Sequence, residues 1–285
     1  MLLTSHFILL QVVSLSHFRL HYGVHVYAYK NAFVRKDGEL KHLPLAFALM
    51  SRRRRKDYKR VFNALIDSMP RRPRVQAVVA DFELAVWKAV RQVLPGVTQR
   101  GCTFHFGQAV WRNIQAVRLQ TAYTSDESVG RICRQTMALP FLPADVVTAE
   151  FRAIEASTDH AGLTQHLQYV DRQWISSTVW PSSTWSVFRQ PVRTNNDLEG
   201  WHCRLNAKAN HGRLNLYKLI QLLHKEATLV TINVRLLSDG RTLRLQRKKY
   251  THMHSRLMQY WDEYSACTRS ARRLLHACAR LCKKM

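Results

Sequence analysis

Acidic residues are scarce in this chain. Nineteen Asp and Glu stand against 44 Lys and Arg in 285 residues, a formal net charge of +25. So large a deficit of carboxylate points to a polyanionic partner, because phosphate neutralisation with counterion release is the commonest use of excess positive charge. An anionic membrane surface is the competing explanation, but the basic residues are dispersed along the chain and cluster only locally. Paired cysteine spacing is also lacking. The six cysteines, Cys102, Cys133, Cys203, Cys267, Cys278 and Cys282, form no disulfide framework, and a chain of this size needs none, so a reducing compartment is expected. No apolar run is long enough to cross a bilayer, and no membrane partner is expected. The opening MLLTSHFILLQVVSLSHFRL has an apolar centre resembling a signal h-region. It lacks a basic n-region and is broken by Thr4, Ser5, His6, Gln11 and Ser14, so secretion is not expected.

What is present fits a globular protein of one large domain or two small ones, with 46% apolar residues to build a core. Residues 6–15, 23–29 and 43–50 have the composition of consecutive strands, an antiparallel meander whose second connection, NAFVRKDGELKH, carries an Asp-Gly turn. Arg52, Arg53, Arg54, Arg55 and Lys56 follow as five consecutive basic residues, either a solvated loop or a phosphate-contacting run. Asp57 is placed to cap a helix that puts Tyr58, Val61, Phe62, Leu65, Ile66 and Met69 on one face, ended by Pro70 and Pro73. The unbroken β-branched run 75–80 then predicts a strand buried on both faces. Asp81 directly after it is either the cap of the helix 82–94 or a carboxylate at a strand's C-terminal end, where ligands and metals usually bind in α/β sheets. Glu83 is positioned to support that helix N-terminus.

Residues 97–101 predict a further strand, and Cys102-x-x-His105 opens the next helix. A thiolate and an imidazole at this spacing form half of a tetrahedral Zn2+ site or, equally, a buried thiol beside a packed histidine. His160, His166, His202, Cys203 and His211 are the candidates to complete it. The order of strands and helices suggests a ribonuclease H-like opening. From Phe106 to Trp180 the pattern is helical. NNDLEGWHCRLN resumes as a helix with Glu199, His202 and Asn206 on one stripe, and 214–237 is a strong helix. From Met253 to Leu281 apolar residues alternate spacings of four and three, a heptad seam in a segment where residues 241–285 carry twelve Lys and Arg against two acids. Such a helix packs on its own domain, pairs with a partner helix as a homo-oligomer, or lies on nucleic acid.

VVADFELAVWKAV, RGCTFHFGQAVWRNIQ and VFRQPVRTNNDLEGWHCRLN, together with GVHVYAY, LPLAFALM and LPFLPADVV, resemble the transposase domain of Mutator-like elements, the MULE family, in its animal form, over roughly residues 20 to 230. The resemblance implies an α/β fold with a ribonuclease H-like core, a mixed sheet with flanking helices. An all-helical insertion interrupts that core and a helical extension follows it. The corresponding domains are 1–110, the first part of the core; 111–190, the insertion; 191–237, the catalytic-Glu helix and end of the core; and 238–285, a basic helical tail. It also implies a DDE triad of carboxylates holding two Mg2+ or Mn2+ ions, strand transfer at DNA ends, and a nuclear location. Two divalent ions about 3.5 to 4 Å apart activate the nucleophile and stabilise the leaving oxygen, and hard cations demand oxygen ligands. Asp81 matches the second acid and Glu199 the third, Asn195, Asn196 and His202 match orienting groups, and Cys102 with His105 matches the family's zinc pair. The first acid is expected near residues 5–8, which are Ser5, His6, Phe7 and Ile8, and no acidic residue precedes Asp37. The expectation is therefore an N-terminally truncated or decayed copy, a DNA-associated protein impaired in catalysis, with a domesticated DNA-binding protein lacking nuclease activity as the alternative.

Overall fold

The computed structural model describes residues 25–36, 39–69, 71–73, 75–158, 160–190, 205, 207–208, 215–238 and 248–282. It is a mixed α/β structure dominated by helices. The chain divides into two compact units, one of Met1–Arg100 with Asn195–Leu245, the other of Gly101–Thr194 with Gln246–Met285.

In the first unit, β1 (His25–Lys36) and β2 (Glu39–Met50) form a long antiparallel ladder. The segment NAFVRKDGELKH, expected as a loop, instead extends both strands, so that only residues 37–38 separate them. Cα partners run from His25 opposite Met50 to Lys36 opposite Glu39, with register shifts on both sides of Lys30. Lys30 lies opposite Pro44, which has no N–H to donate to the ladder, and an irregularity there is the usual consequence. The expected first strand, 6–15, lies outside the described residues. Helix α1 (Arg55–Asp67) packs on helix α2 (Leu84–Val93). Between them in sequence runs β3 (Ala77–Ala80), every residue of which is buried, as its β-branched composition requires. After α2 the chain returns through β4 (Thr98–Gly101), parallel to β3. Among the described residues the strands thus form two separate pairs. The core of this unit gathers Tyr58 and Phe62 from α1, Val78 and Val79 from β3, and Val86, Trp87 and Val90 from α2.

Two helix starts differ from the sequence reading. Arg54, rather than Asp57, is the N-cap of α1, and Asp57 sits three residues on, where its carboxylate accepts the Arg54 backbone N–H at 3.2 Å and its guanidinium at 3.0 Å. A carboxylate in the first turn meets the free N–H groups and the positive end of the helix dipole, so Asp57 still serves the terminus, from inside it. Asp81 does not cap α2; Glu83 holds that position.

Among its described residues the second unit is helical apart from the end of β4: α3 (Thr103–Ala116), α4 (Gln120–Ser125), α5 (Glu127–Ala138), a 3-10 turn over Leu139–Phe141, α6 (Val147–Ala156), α7 (Ala161–Val170) running into a π turn over Asp171–Ile175, and α8 (Ser182–Trp185). Phe106 stacks on Trp185 at 5.0 Å between ring centroids and meets Trp174 at a tilt at 4.6 Å, while the two indoles contact each other edge-on. Phe188 meets Trp261 edge-on at 5.5 Å, and the Trp261 indole donates to the Phe141 carbonyl at 2.8 Å. Such large aromatics dominate core energetics when the polar end finds a partner.

Helix α9 (Leu216–Ser238) belongs to the first unit and matches the helix expected over 214–237. The heptad segment does not form one helix. It divides into α10 (Lys248–Ser265) and α11 (Ala271–Cys282). Cys267 adopts φ 58°, its N–H donates to Tyr264 O, and Thr268 N–H donates to Glu263 O, a Schellman closure that ends α10 without glycine. The seam residues Leu257, Leu274 and Cys278 are buried within this unit, where α11 packs on α10, α5 and α6. The continuous seam proposed for oligomerisation is therefore interrupted at residues 266–270. No helix among the described residues is long and apolar enough to cross a membrane.

Candidate functional site

The end of β3 is built as a rigid turn. The Asp81 backbone carbonyl accepts two hydrogen bonds, from the Glu83 N–H at 2.8 Å and from the indole N–H of the buried Trp87 at 2.7 Å. Trp87 thereby ties the first turn of α2 to the residue that leaves the strand, and Asp81 stands half-buried at the strand's C-terminal end. Glu83 caps α2 by position only; its carboxylate makes no cap hydrogen bond. It turns instead to α1, accepting the Tyr58 hydroxyl at 2.8 Å and the Arg53 guanidinium at 2.8 Å. Burial raises the Glu83 pKa, the Tyr58 hydrogen bond and the Arg53 charge oppose the shift, and the nearby Asp81 carboxylate adds to it. Like charges at short range have this effect because each disfavours the other's ionised form. Residue pattern alone does not disclose the Tyr58–Glu83–Arg53 link, since Tyr58 fits the apolar stripe of α1 as well as any core aromatic.

The basic run lies on this same link. All of Arg52, Arg53, Arg54, Arg55 and Lys56 are exposed, but they are not equivalent. Arg53 is held by Glu83 and Arg54 by Asp57. Arg52, Arg55 and Lys56 form no ion pair among the described residues, so they are the members of the run left to an external anion.

A metal centre is not assembled among the described residues: no three of His, Cys, Asp and Glu come together there. Glu199, Asn195, Asn196 and His202 lie outside the described residues, as do Cys203 and His211. Asp81 and Glu83 alone offer two carboxylates, one of them engaged by Tyr58 and Arg53, and that set does not fit a pair of divalent ions.

In the second unit, Cys102 is the N-cap of α3 and is buried, and His105 lies half-buried in the first turn with its ring edge-on to Phe104 at 5.4 Å. Of the candidates for completing a zinc site, two are committed elsewhere. His160 caps α7, its Nδ1 accepting the Gly162 and Leu163 N–H groups at 3.1 and 3.4 Å. His166 is fully buried, with Nδ1 2.7 Å from the Asn113 side chain and Nε2 3.0 Å from the Thr136 hydroxyl. Burial pushes its pKa down to about 4. Capping and core networks were indistinguishable from metal ligation in sequence, because a histidine at a helix start or on an apolar face serves all three.

Residues 28–109 match the MULE transposase domain. That span runs from β1 into α3 and takes in the basic run, Asp81, Glu83, Cys102 and His105; Glu199 lies beyond it. The match supports a transposase-derived function. No curated protein and no solved structure matches the chain.

Proposed function

We propose that the chain is a transposase-derived, DNA-associated protein related to DDE-type cut-and-paste transposases and impaired in strand cleavage. One observation carries the reading: within the matched span, Asp81 at a strand's C-terminal end is tied by its backbone carbonyl to Glu83, whose carboxylate holds Arg53 of an exposed basic run. A site acting on a phosphodiester needs that combination, oxygen ligands beside groups that hold the backbone phosphates. Asp81 takes the place of the second acid of a ribonuclease H-like core and Glu199 the third, with Asn195, Asn196 and His202 orienting it. Arg52, Arg55 and Lys56 meet phosphates directly. Arg53 and Arg54 add to the field from their paired positions.

Transposase domains generally use divalent metals, and Mg2+ or Mn2+ is the cofactor this lineage calls for. The first acid of the family is expected near residues 5–8, and Ser5, His6, Phe7 and Ile8 stand there, which is the basis for proposing impaired catalysis. Cys102 and His105 would supply half of a structural Zn2+ site. Duplex DNA as partner places the protein in the nucleus.

The second reading, a domesticated DNA-binding protein that keeps the basic surface and no nuclease chemistry, draws on the same missing acid. A nicking assay on supercoiled duplex with Mg2+ or Mn2+ separates the two. Nicking by the wild type that disappears in Asp81→Ala establishes residual transposase chemistry. Salt-sensitive binding with no Asp81-dependent nicking establishes the binder, and the absence of both refutes the DNA reading.

A further inference from the structure

Helices α5, α6 and α11 line a half-open cavity of about 210 Å³ within the second unit. Its floor is apolar, formed by Ile132, Ile154 and Leu275. Its mouth is polar, with Arg131 and Gln135 from α5, Glu150 from α6, and Arg272 and His276 from α11. The charges at that mouth do not balance. Arg131 has no carboxylate partner among the described residues. Arg272, with a 62% exposed side chain, reaches the sole lining carboxylate, Glu150, only at 3.8 Å. Two guanidiniums, an amide and an imidazole therefore converge on one half-enclosed space.

We propose that this cavity is a binding site for a phosphate group, as a phosphomonoester or a backbone phosphodiester. Guanidinium forks match phosphate oxygens in geometry and make charge-assisted hydrogen bonds to them. The positive field is already felt by His276. Burial, then the charges of Arg131, Arg272 and Arg280, lower its pKa, while Glu150 opposes them. An entering dianion reverses the sign of that field and favours the imidazolium, which then adds a third positive charge. Gln135 accommodates both states. Its Nε2 lies 3.3 Å from His276 Nε2, so its amide donates to the neutral ring, and the amide turned over presents its oxygen to the protonated one.

Inorganic phosphate is the probe, added to the full chain at constant ionic strength set with chloride, with the His276 ring resonances followed by NMR and assigned by their loss in His276→Gln. The expected result is a saturable shift in the millimolar range and a rise in the His276 titration midpoint. Arg131→Gln combined with Arg272→Gln weakens binding by about tenfold or more, and Glu150→Gln tightens it. Both arginines are at the surface, so the variants keep the fold. A chloride control that gives the same shift, or an arginine variant with unaltered affinity, overturns the proposal. A short duplex then identifies the source. If DNA displaces phosphate at His276, the site holds a backbone phosphodiester; if DNA binds without moving that resonance, it holds a free phosphate compound. Phosphate binding here together with no DNA affinity refutes the proposed function and leaves the cavity's assignment standing.

Discussion

His166 makes the stability of the second unit depend on pH in a range where few other groups titrate. Its folded pKa of about 4 lies below the ordinary 6.5, so the folded state disfavours the imidazolium relative to the unfolded chain. Stability is therefore complete above pH 6.5 and is lost as pH falls toward 4. At about 1.4 kcal/mol per pH unit between the two values, the loss is about 2 kcal/mol by pH 5 and about 3 kcal/mol by pH 4. The cause is local. The Asn113 side-chain oxygen, 2.7 Å from Nδ1, accepts that nitrogen's proton. Nε2 of the neutral ring is then an acceptor, 3.0 Å from the Thr136 hydroxyl. The carboxylates Asp57, Asp126 and Glu263, whose pKa values are lowered, act in the same direction but only near and below pH 4.5. Glu83, raised, acts in the opposite sense and His276, lowered, in the same sense, and both cancel when wild type and a His166 variant are compared at pH 7 and pH 5. Urea denaturation of wild type and His166→Gln at the two values is the assay. The variant costs about 1–3 kcal/mol at pH 7 by leaving the network half-satisfied, and its deficit narrows by about 2 kcal/mol at pH 5. A deficit that stays constant, or an NMR midpoint for His166 near 6.5, would refute the reasoning, because Asn113 and Thr136 would then solvate the imidazolium well enough to cancel burial.

Three further outcomes follow from individual contacts. A Cβ added at Gly130 would lie 2.6 Å from the Tyr123 carbonyl oxygen; Gly130→Ala is expected to lower stability by about 1–3 kcal/mol, read as a fall in Tm. Arg118 and Cys267 hold φ 60° and 58° at the ends of α3 and α10, so Arg118→Gly and Cys267→Gly should each stabilise by about 1 kcal/mol in the same melt. Burial pushes the Cys133 and Cys282 thiols up to about 12, whereas Cys267 is exposed. Iodoacetamide should label Cys267 in the native protein and reach Cys133 and Cys282 only in denaturant, as mass spectrometry of digested samples will show.

The parts of the fold legible in sequence were those whose physics is local. An unbroken β-branched run gave β3, with Asp81 at its C-terminal end, and the 3.6-residue periodicity gave α1, α2 and α9. The Cys-x-x-His at the mouth of α3 was equally plain. What escaped depends on partners distant in sequence or on unusual terminators. The heptad pattern ran unbroken through residues 266–270 because the α10 closure uses Cys267 where glycine normally stands, and no proline marks the bend. Glu83 looked like a helix-terminus acid, since nothing at that position discloses that Tyr58 and Arg53, 25 and 30 residues earlier, claim its oxygens. His160 and His166 resembled ligands for want of a sequence signature that separates a cap or a buried hydrogen-bonded ring from a metal site.

The most direct test of DNA association is the salt dependence of duplex binding, measured by fluorescence anisotropy from about 50 to 200 mM salt, the span over which phosphate contacts lose most affinity. The expected result is a linear fall of log Kobs with log salt, made shallower by about 0.9 for each phosphate contact removed. Replacing Arg52, Arg55 and Lys56 together by Gln should thus flatten the slope by about 2–3 while leaving the melt unchanged. Undetectable binding at low salt, or a slope that the triple substitution does not alter, would contradict the assignment of this surface to DNA.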